Sequence, residues 1–262
     1  MPRANRHQLP GHVWHITHRC HRKHFLLKFA RDRRMWRGWL YEARKRFGLC
    51  VLDFIVTSNH IHLLVRDQGA GEIAKSMQLI AGRTAQSYNQ RKQRRGAYWE
   101  DRYHATAVET DTHLARCITY IDLNMVRAGA VFHPEQWEIG GYREIQSPPE
   151  RYRIIDYPAL MKLLGVSDLQ ALQRAHRGWI EEALQEERLV RDARWSESLA
   201  VGGEAFVTQF QDDLGIAAAH RAVEKQGDSY SLREDGGAYR LDSGGEIGAL
   251  RAEDVAFPDE YV

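Results

Sequence analysis

His60 and His62 are the side chains best placed to do chemistry, because the run around them fixes how they point. They lie in Thr57-Ser58-Asn59-His60-Ile61-His62-Leu63-Leu64-Val65, just after the apolar run Val51-Leu52-Asp53-Phe54-Ile55-Val56, which reads as a buried strand. From His60 onward the residues alternate, with Ile61, Leu63 and Val65 on one side and His60, His62 and Leu64 on the other. A strand's period of two therefore puts both imidazoles on one face and anchors the opposite face in apolar packing. Two imidazoles held close on a rigid strand form half of a divalent-metal site. The same spacing suits two ordinary surface histidines on an open sheet face, and spacing alone does not separate these readings.

A second polar group lies downstream. Thr110-Asp111 is a good N-cap pair for a helix over residues 112–128, whose buried stripe is Leu114, Cys117, Ile118 and Ile121. Arg116, Tyr120, Asn124 and Arg127 run along another stripe at spacings of four, four and three. Asn124 is thus one helical turn from Tyr120. A tyrosine on such a stripe is most often an amphipathic surface residue.

The elements that must position these residues follow from periodicity. His12 to His18 reads as a strand, and residues 31–47 as a helix with Met35, Trp36, Trp39, Leu40, Ala43 and Phe47 on its apolar side and Gly48 placed to end it. After the two central strands, residues 72–93 form a second helix, and Tyr103 to Glu109 a fourth strand. The order is strand, helix, strand, strand, helix, strand. His12, His15, His18, His21 and His24 recur every three residues, which a strand scatters over both faces, so a metal site there is disfavoured. Arg19, Arg22 and Lys23 beside them resemble phosphate contacts. Arg91-Lys92-Gln93-Arg94-Arg95, followed by Tyr98 and Trp99, suits a single-strand groove of cations and flat rings, or equally a solvated helix end with core aromatics.

Charge is divided along the chain. Residues 1–130 carry 23 Lys and Arg against 10 Asp and Glu, whereas the remaining residues carry 14 against 25. A basic half joined to an acidic one suggests a polyanion-binding domain with an appendage that balances or masks it. No apolar run approaches a membrane span, and no hydrophobic segment follows the basic N-terminus, which makes the cytoplasm the expected location. Cys20, Cys50 and Cys117 are far apart and in no C-x-x-C pair, against a disulfide framework or a thiolate zinc site.

Taken together, Ser58-Asn59-His60-Ile61-His62, Trp99-Glu100-Asp101-Arg102-Tyr103-His104 and Tyr120-Ile121-Asp122-Leu123-Asn124-Met125-Val126-Arg127-Ala128-Gly129 resemble the REP-associated tyrosine transposases. These are single-tyrosine members of the HUH endonuclease superfamily. The resemblance spans roughly residues 9–145 and departs at Met125, where the family usually has proline after the asparagine. It implies an α+β fold, a ferredoxin-like sandwich with an antiparallel sheet, which agrees with the β-α-β-β-α-β order above. It implies a metal-dependent single-strand DNA endonuclease and strand transferase acting at hairpins of repetitive extragenic palindromes, through a covalent 5′-phosphotyrosine. Tyr120 would be the nucleophile, with His60 and His62 catalytic through the metal they hold. Asn124 is the candidate third ligand, since its amide oxygen shares a face with Tyr120, and mixed imidazole and oxygen donors favour Mg2+ or Mn2+ over a closed zinc site. Arg19, Arg22, Arg83, Arg94, Arg95 and Arg127 are candidate DNA contacts.

The chain divides, on this reading, into a nuclease domain over residues 1–146, a mainly helical C-terminal extension over 150–226 and an acidic, flexible tail over 227–262, with Ser147-Pro148-Pro149 as a linker. Helices are expected to open near Ser167-Asp168 and to cover Glu204 to Leu214 and Ala217 to Lys225. The acidic part is a candidate cover for the basic groove. Two other functions compete: a hairpin-DNA-binding protein that no longer cuts, and a small-molecule metal hydrolase. The hydrolase needs later imidazole ligands, and residues 63–130 offer only His104 and His113. Either a monomer or a homodimer is compatible with the sequence.

Overall fold

Alternating side chains in four strands build the centre of the molecule, here a computed structural model that describes residues 9–110, 112–185, 189–218 and 221–233. The strands are β1 (Val13–Arg19), β2 (Cys50–Val56), β3 (His60–Arg66) and β4 (His104–Val108), with helices α1 (Ala30–Phe47) and α2 (Glu72–Arg91) as crossovers. They pair antiparallel in the order β2-β3-β1-β4. This is the ferredoxin-like β-α-β-β-α-β arrangement predicted from periodicity. Gly48 ends α1 in the left-handed region (φ 71°), its N–H donating to the Arg44 carbonyl at 3.0 Å.

The sheet has two covered faces. The crossover helices α1 and α2 pack together, and Ile61, Leu63 and Val65 are buried on the face of β3 away from the imidazoles. The other face carries His60, His62 and Leu64 of β3, with His15, Thr17 and Arg19 of β1 opposite Leu64, His62 and His60. Helix α3 (Thr112–Asp122) and the short α4 (Asn124–Arg127) lie over it. Residues 112–128 are therefore two helical segments, not one: Leu123, with ψ 3°, interrupts them. Asp111, the expected N-cap partner, lies outside the described residues.

Helix α5 (Gly141–Gln146) falls at the end of the expected nuclease domain, and the C-terminal extension beyond it is mainly helical, with α6 (Tyr157–Leu164), α7 (Leu169–Gln185), α8 (Arg194–Glu197) and α9 (Glu204–Leu214). It also adds three strands that the sequence analysis does not foresee. β5 (Ser198–Gly202) runs parallel to β4, and β7 (Ser229–Arg233) and β6 (Ala222–Gln226) extend the sheet beyond it. The helix expected over Ala217 to Lys225 is thus a short 3-10 turn followed by an edge strand. The cause is the Gly227-Asp228 hairpin: Gly227 takes φ +60°, and Gln226 pairs with Ser229 across a two-residue loop. β7 begins inside the segment expected to be an extended tail, and residues 234–262 lie outside the described residues.

One buried contact joins the extension to the helix that carries Tyr120. His176 Nε2 on α7 lies 2.7 Å from Asp122 Oδ2 at the end of α3, and both side chains are essentially inaccessible. Asp122 Oδ1 also accepts from the Tyr142 N–H at 3.0 Å. Nearby on β2, burial together with the Asp122 charge pushes the Asp53 carboxyl well above the usual carboxylate range. Replacing His176 leaves Asp122 without its side-chain partner in a dry environment. His176→Leu is expected to destabilise the fold by about 3 kcal/mol, read as a lower urea midpoint with an unchanged slope.

Candidate active site

Backbone register brings the site together. Thr17 of β1 lies opposite His62, so His15 sits diagonally across from it and reaches its ring. The His15 and His62 rings stack at 5.0 Å with an interplanar angle of 14°. His60 and His62, two residues apart on β3, have ring centroids 5.0 Å apart. Tyr120 on α3 points its ring at the same place, 5.9 Å from His62 and 6.1 Å from His15.

The ring nitrogens can be assigned from their partners. His60 Nδ1 lies 2.7 Å from Asn59 Oδ1, an oxygen that only accepts, so His60 carries its proton there and donates. Thr57 Oγ1 is a further neighbour of that nitrogen at 3.0 Å. Asn124 Nδ2 donates to His62 Nε2 at 2.9 Å, which requires the His62 proton on Nδ1, donating to His15 Nε2 at 2.8 Å. Both candidate ligands thus keep a lone pair on Nε2. The Asn124 side chain also hydrogen-bonds His60. The His62 lone pair meets the amide at hydrogen-bond distance and the His60 ring lies beside it, a geometry that a small cation would also satisfy.

Burial keeps the imidazoles neutral. His60 and His15 are both pushed down to about 3, in each case chiefly by loss of solvent. His62 is held well below its ordinary value by burial and then by the neighbouring His60 and His15. Neutral imidazole is the form that binds metal. Burial raises the Tyr120 phenol, while the positive charge of Arg127 works in the opposite direction. The Arg127 guanidinium lies 4.1 Å from the Tyr120 ring centroid and donates to the Tyr120 carbonyl at 2.5 Å.

The donor set fits an ion bound with open positions, not a closed cage. Among the described residues no group of three or more His, Cys, Asp and Glu could hold a metal ion. The chain offers two imidazole nitrogens and the Asn124 amide, which must turn over to present its oxygen. With no carboxylate in this set, an anionic substrate would meet undiminished positive charge.

The predicted DNA contacts separate into groups. Arg19, opposite His60, and Arg127 lie at the site, where their charges act on His60. Arg22 is exposed in the turn after β1, and Arg95 is exposed beyond the end of α2. Arg94 is engaged within its own loop, donating to Asn89 Oδ1 and the Ala97 carbonyl. Arg83 is on α2, its guanidinium 5.7 Å from the Trp39 ring, in the layer that covers the opposite face of the sheet. Tyr98 and Trp99 do not form an open groove: Tyr98 is buried, and Trp99 stacks on His18 at 4.0 Å while donating to the Ala81 carbonyl.

Sequence reasoning missed two contributors. His15 was hidden in a run of five histidines whose spacing suggested scatter, and only the strand register singles it out. Trp195, from the extension, lies 6.1 Å from Tyr120, and the charges of Arg191 and Asp192 act on the phenol. This segment helps leave Tyr120 only 9% exposed. No signal in the sequence tied residues 191–195 to the site.

Residues 9–124 match the model of the family described as "Transposase IS200 like". No curated protein matches the chain. Among solved structures, one of a REP-associated tyrosine transposase bound to a REP hairpin aligns with 17% identity and a TM-score of 0.48, covering 61% of this chain and 96% of that one. A crystal structure of a protein designated a transposase from Deinococcus radiodurans R1 aligns with 16% identity and a TM-score of 0.33, over 41% and 86% of the two chains.

The neutral imidazoles set a pH dependence. His15 and His60 titrate near 3 when folded and near 6.5 when unfolded, so between those values the unfolded chain binds more protons. Stability is therefore complete above about pH 6.5 and falls as the pH is lowered, approaching about 1.4 kcal/mol per pH unit for each imidazole. Urea unfolding of the metal-free protein at neutral pH and near pH 5 is expected to show this loss, and His15→Gln to reduce it.

Proposed function

We propose, from the match of residues 9–124 to the IS200-like transposase model, that the chain cuts and rejoins single-stranded DNA beside hairpins, using Tyr120 as nucleophile. The observation that carries the proposal is the gathering of His60 and His62, ring centroids 5.0 Å apart, beside Asn124, which hydrogen-bonds His62 Nε2, with the Tyr120 ring about 6 Å from His62. All these groups belong to one chain, which supports a site built within one subunit, whether the protein is a monomer or a homodimer.

His60 and His62 would hold the cation through Nε2, with Asn124 as third ligand once its amide oxygen faces them. Mg2+ or Mn2+ bound there supplies charge that polarises a non-bridging phosphate oxygen and favours ionisation of a nearby phenol. Tyr120 Oη then attacks phosphorus. An O–P bond to tyrosine forms, the bond to the 3′ oxygen breaks, and that oxygen takes a proton to become a free 3′-hydroxyl. The DNA keeps its 5′ phosphate as an ester on Tyr120. A 3′-hydroxyl attacking that ester reverses the step, so strand transfer needs no external energy source. Arg127 orients the phenol by stacking on it, and Arg19 supports the incoming phosphate next to His60.

The substrate on this reading is hairpin DNA of the repetitive extragenic palindrome type, met in the cytoplasm. Residues 1–146 carry the chemistry, and the segment from Arg191 to Trp195 must move to admit a phosphate. The enclosure of Tyr120 also favours a second reading, a hairpin-binding protein without cleavage.

Incubation with hairpin oligonucleotides and Mn2+ separates the two. A protein–DNA adduct that survives denaturation is expected, and it should vanish in Tyr120→Phe and on chelation. His62→Ala should lower adduct yield at least a hundredfold. DNA binding without any adduct would establish the second reading instead.

A further inference from the structure

The surface next to the site presents an unusual pair. Phe25 and Phe29 are 46% and 52% exposed, and both lie in the turn that links β1 to α1. Residues 19–31 hold five Lys and Arg and no Asp or Glu. Arg22, Lys23 and Lys28 are exposed there, and Lys92, from the end of α2, places its ammonium 5.8 Å from the Phe29 ring centroid. Flat apolar rings among cations are poor companions for water and good ones for unpaired bases on a phosphate chain.

The turn is rigidly tied to the strand pair that carries the imidazoles. Cys20 N–H donates to the Asn59 carbonyl at 2.7 Å, and Leu27 N–H to the Ser58 carbonyl at 2.9 Å. Asn59 Nδ2 donates to the Lys23 carbonyl at 3.2 Å, and the same Asn59 accepts from His60 Nδ1. From below, His21 N–H donates to the Tyr98 carbonyl and Tyr98 Oη to the Leu26 carbonyl. The turn and the site therefore share Asn59 as a fixed anchor, one residue from His60.

We propose that Phe25 and Phe29 form a stacking shelf for unpaired bases of the DNA strand that leaves the site, with Arg22, Lys23, Lys28 and Lys92 following its phosphates. The proposal deepens the function above and names a contact for the single-stranded part of the substrate, not for the hairpin stem. Tyr98 and Trp99, the aromatics that the sequence pointed to, are occupied in packing; the rings left open are on the other loop. A basic surface with exposed phenylalanines also suits an anionic membrane, but the anchoring to Ser58 and Asn59 directs this one to the site.

The test is fluorescence anisotropy with the full chain in chelator, so that no step at the metal site contributes. The probes are a labelled hairpin with a single-stranded flank and the same hairpin without it. Phe25→Ala and Phe29→Ala should each weaken binding of the flanked probe about tenfold and leave the blunt hairpin unaffected. Phe25→Trp and Phe29→Trp should keep the affinity, and the introduced indole should be quenched by the flanked probe alone. Circular dichroism confirms that each variant is folded. Unchanged affinity in both alanine variants, equal retention by Phe25→Leu and Phe29→Leu, or phenylalanine-dependent capture of anionic vesicles with no effect on DNA overturns the shelf. The nuclease reading fails separately, through absence of the wild-type adduct, and a wild-type adduct with unchanged affinity in the alanine variants sinks the shelf alone.

Discussion

Imidazoles withdrawn from water favour partners for their nitrogens, and here the pairs made by His60 and His62 join three elements. His62 donates from Nδ1 to His15 on β1 and accepts at Nε2 from Asn124 on α4, while His60 donates from Nδ1 to Asn59. Loss of solvent makes the charged form of each ring costly, so these hydrogen bonds are made by neutral rings whose tautomers the partners dictate. A strand slip of one residue would send the imidazoles to the opposite face, against α1 and α2. The apolar set Ile61, Leu63 and Val65 prevents it, because the same slip would expose those side chains. Chemistry and register are thus fixed by one alternation.

That alternation was legible in the sequence. So were the two crossover helices, the order of the first four strands and the end of α1 at Gly48, all of which rest on local periodicity and a single positive-φ glycine. Partnerships across the sheet were not. His15 reaches His62 only through the β1–β3 register, which no local pattern states. The three added strands escaped for a related reason. β6 and β7 are five residues each and depend on the Gly227-Asp228 turn, and β5 is short and pairs with a strand about ninety residues earlier. Short strands gain their stability from neighbours, so their own composition says little. The aromatics after α2 misled for another reason, since exposure is a tertiary property and Tyr98 is buried.

The acidic half of the chain has a more specific relation to the basic half than overall charge balance. It supplies β5 to the free edge of β4, Trp195 beside the Tyr120 ring, and His176 against Asp122. Asp192 raises the phenol and Arg191 lowers it, so this segment brings charges of both signs to the site. The two halves of the charge split therefore meet through individual side chains and a shared sheet.

The interruption at Leu123 connects these points. In a straight helix Asn124 would sit one turn below Tyr120, and its reach toward β3 would follow from Tyr120 alone. Here Asp122 is held by His176 and by the Tyr142 N–H, both from the C-terminal part of the chain, just before the backbone leaves helical geometry. Asn124 opens a separate turn whose amide meets both imidazoles. Met125 places no restriction on the backbone after Asn124, so the local geometry depends on the tertiary grip on Asp122. The extension then does more than cover the site. By fixing where α3 stops, it helps set the position of the phenol relative to the amide, and so couples the stability of the C-terminal half to the geometry of the histidine pair.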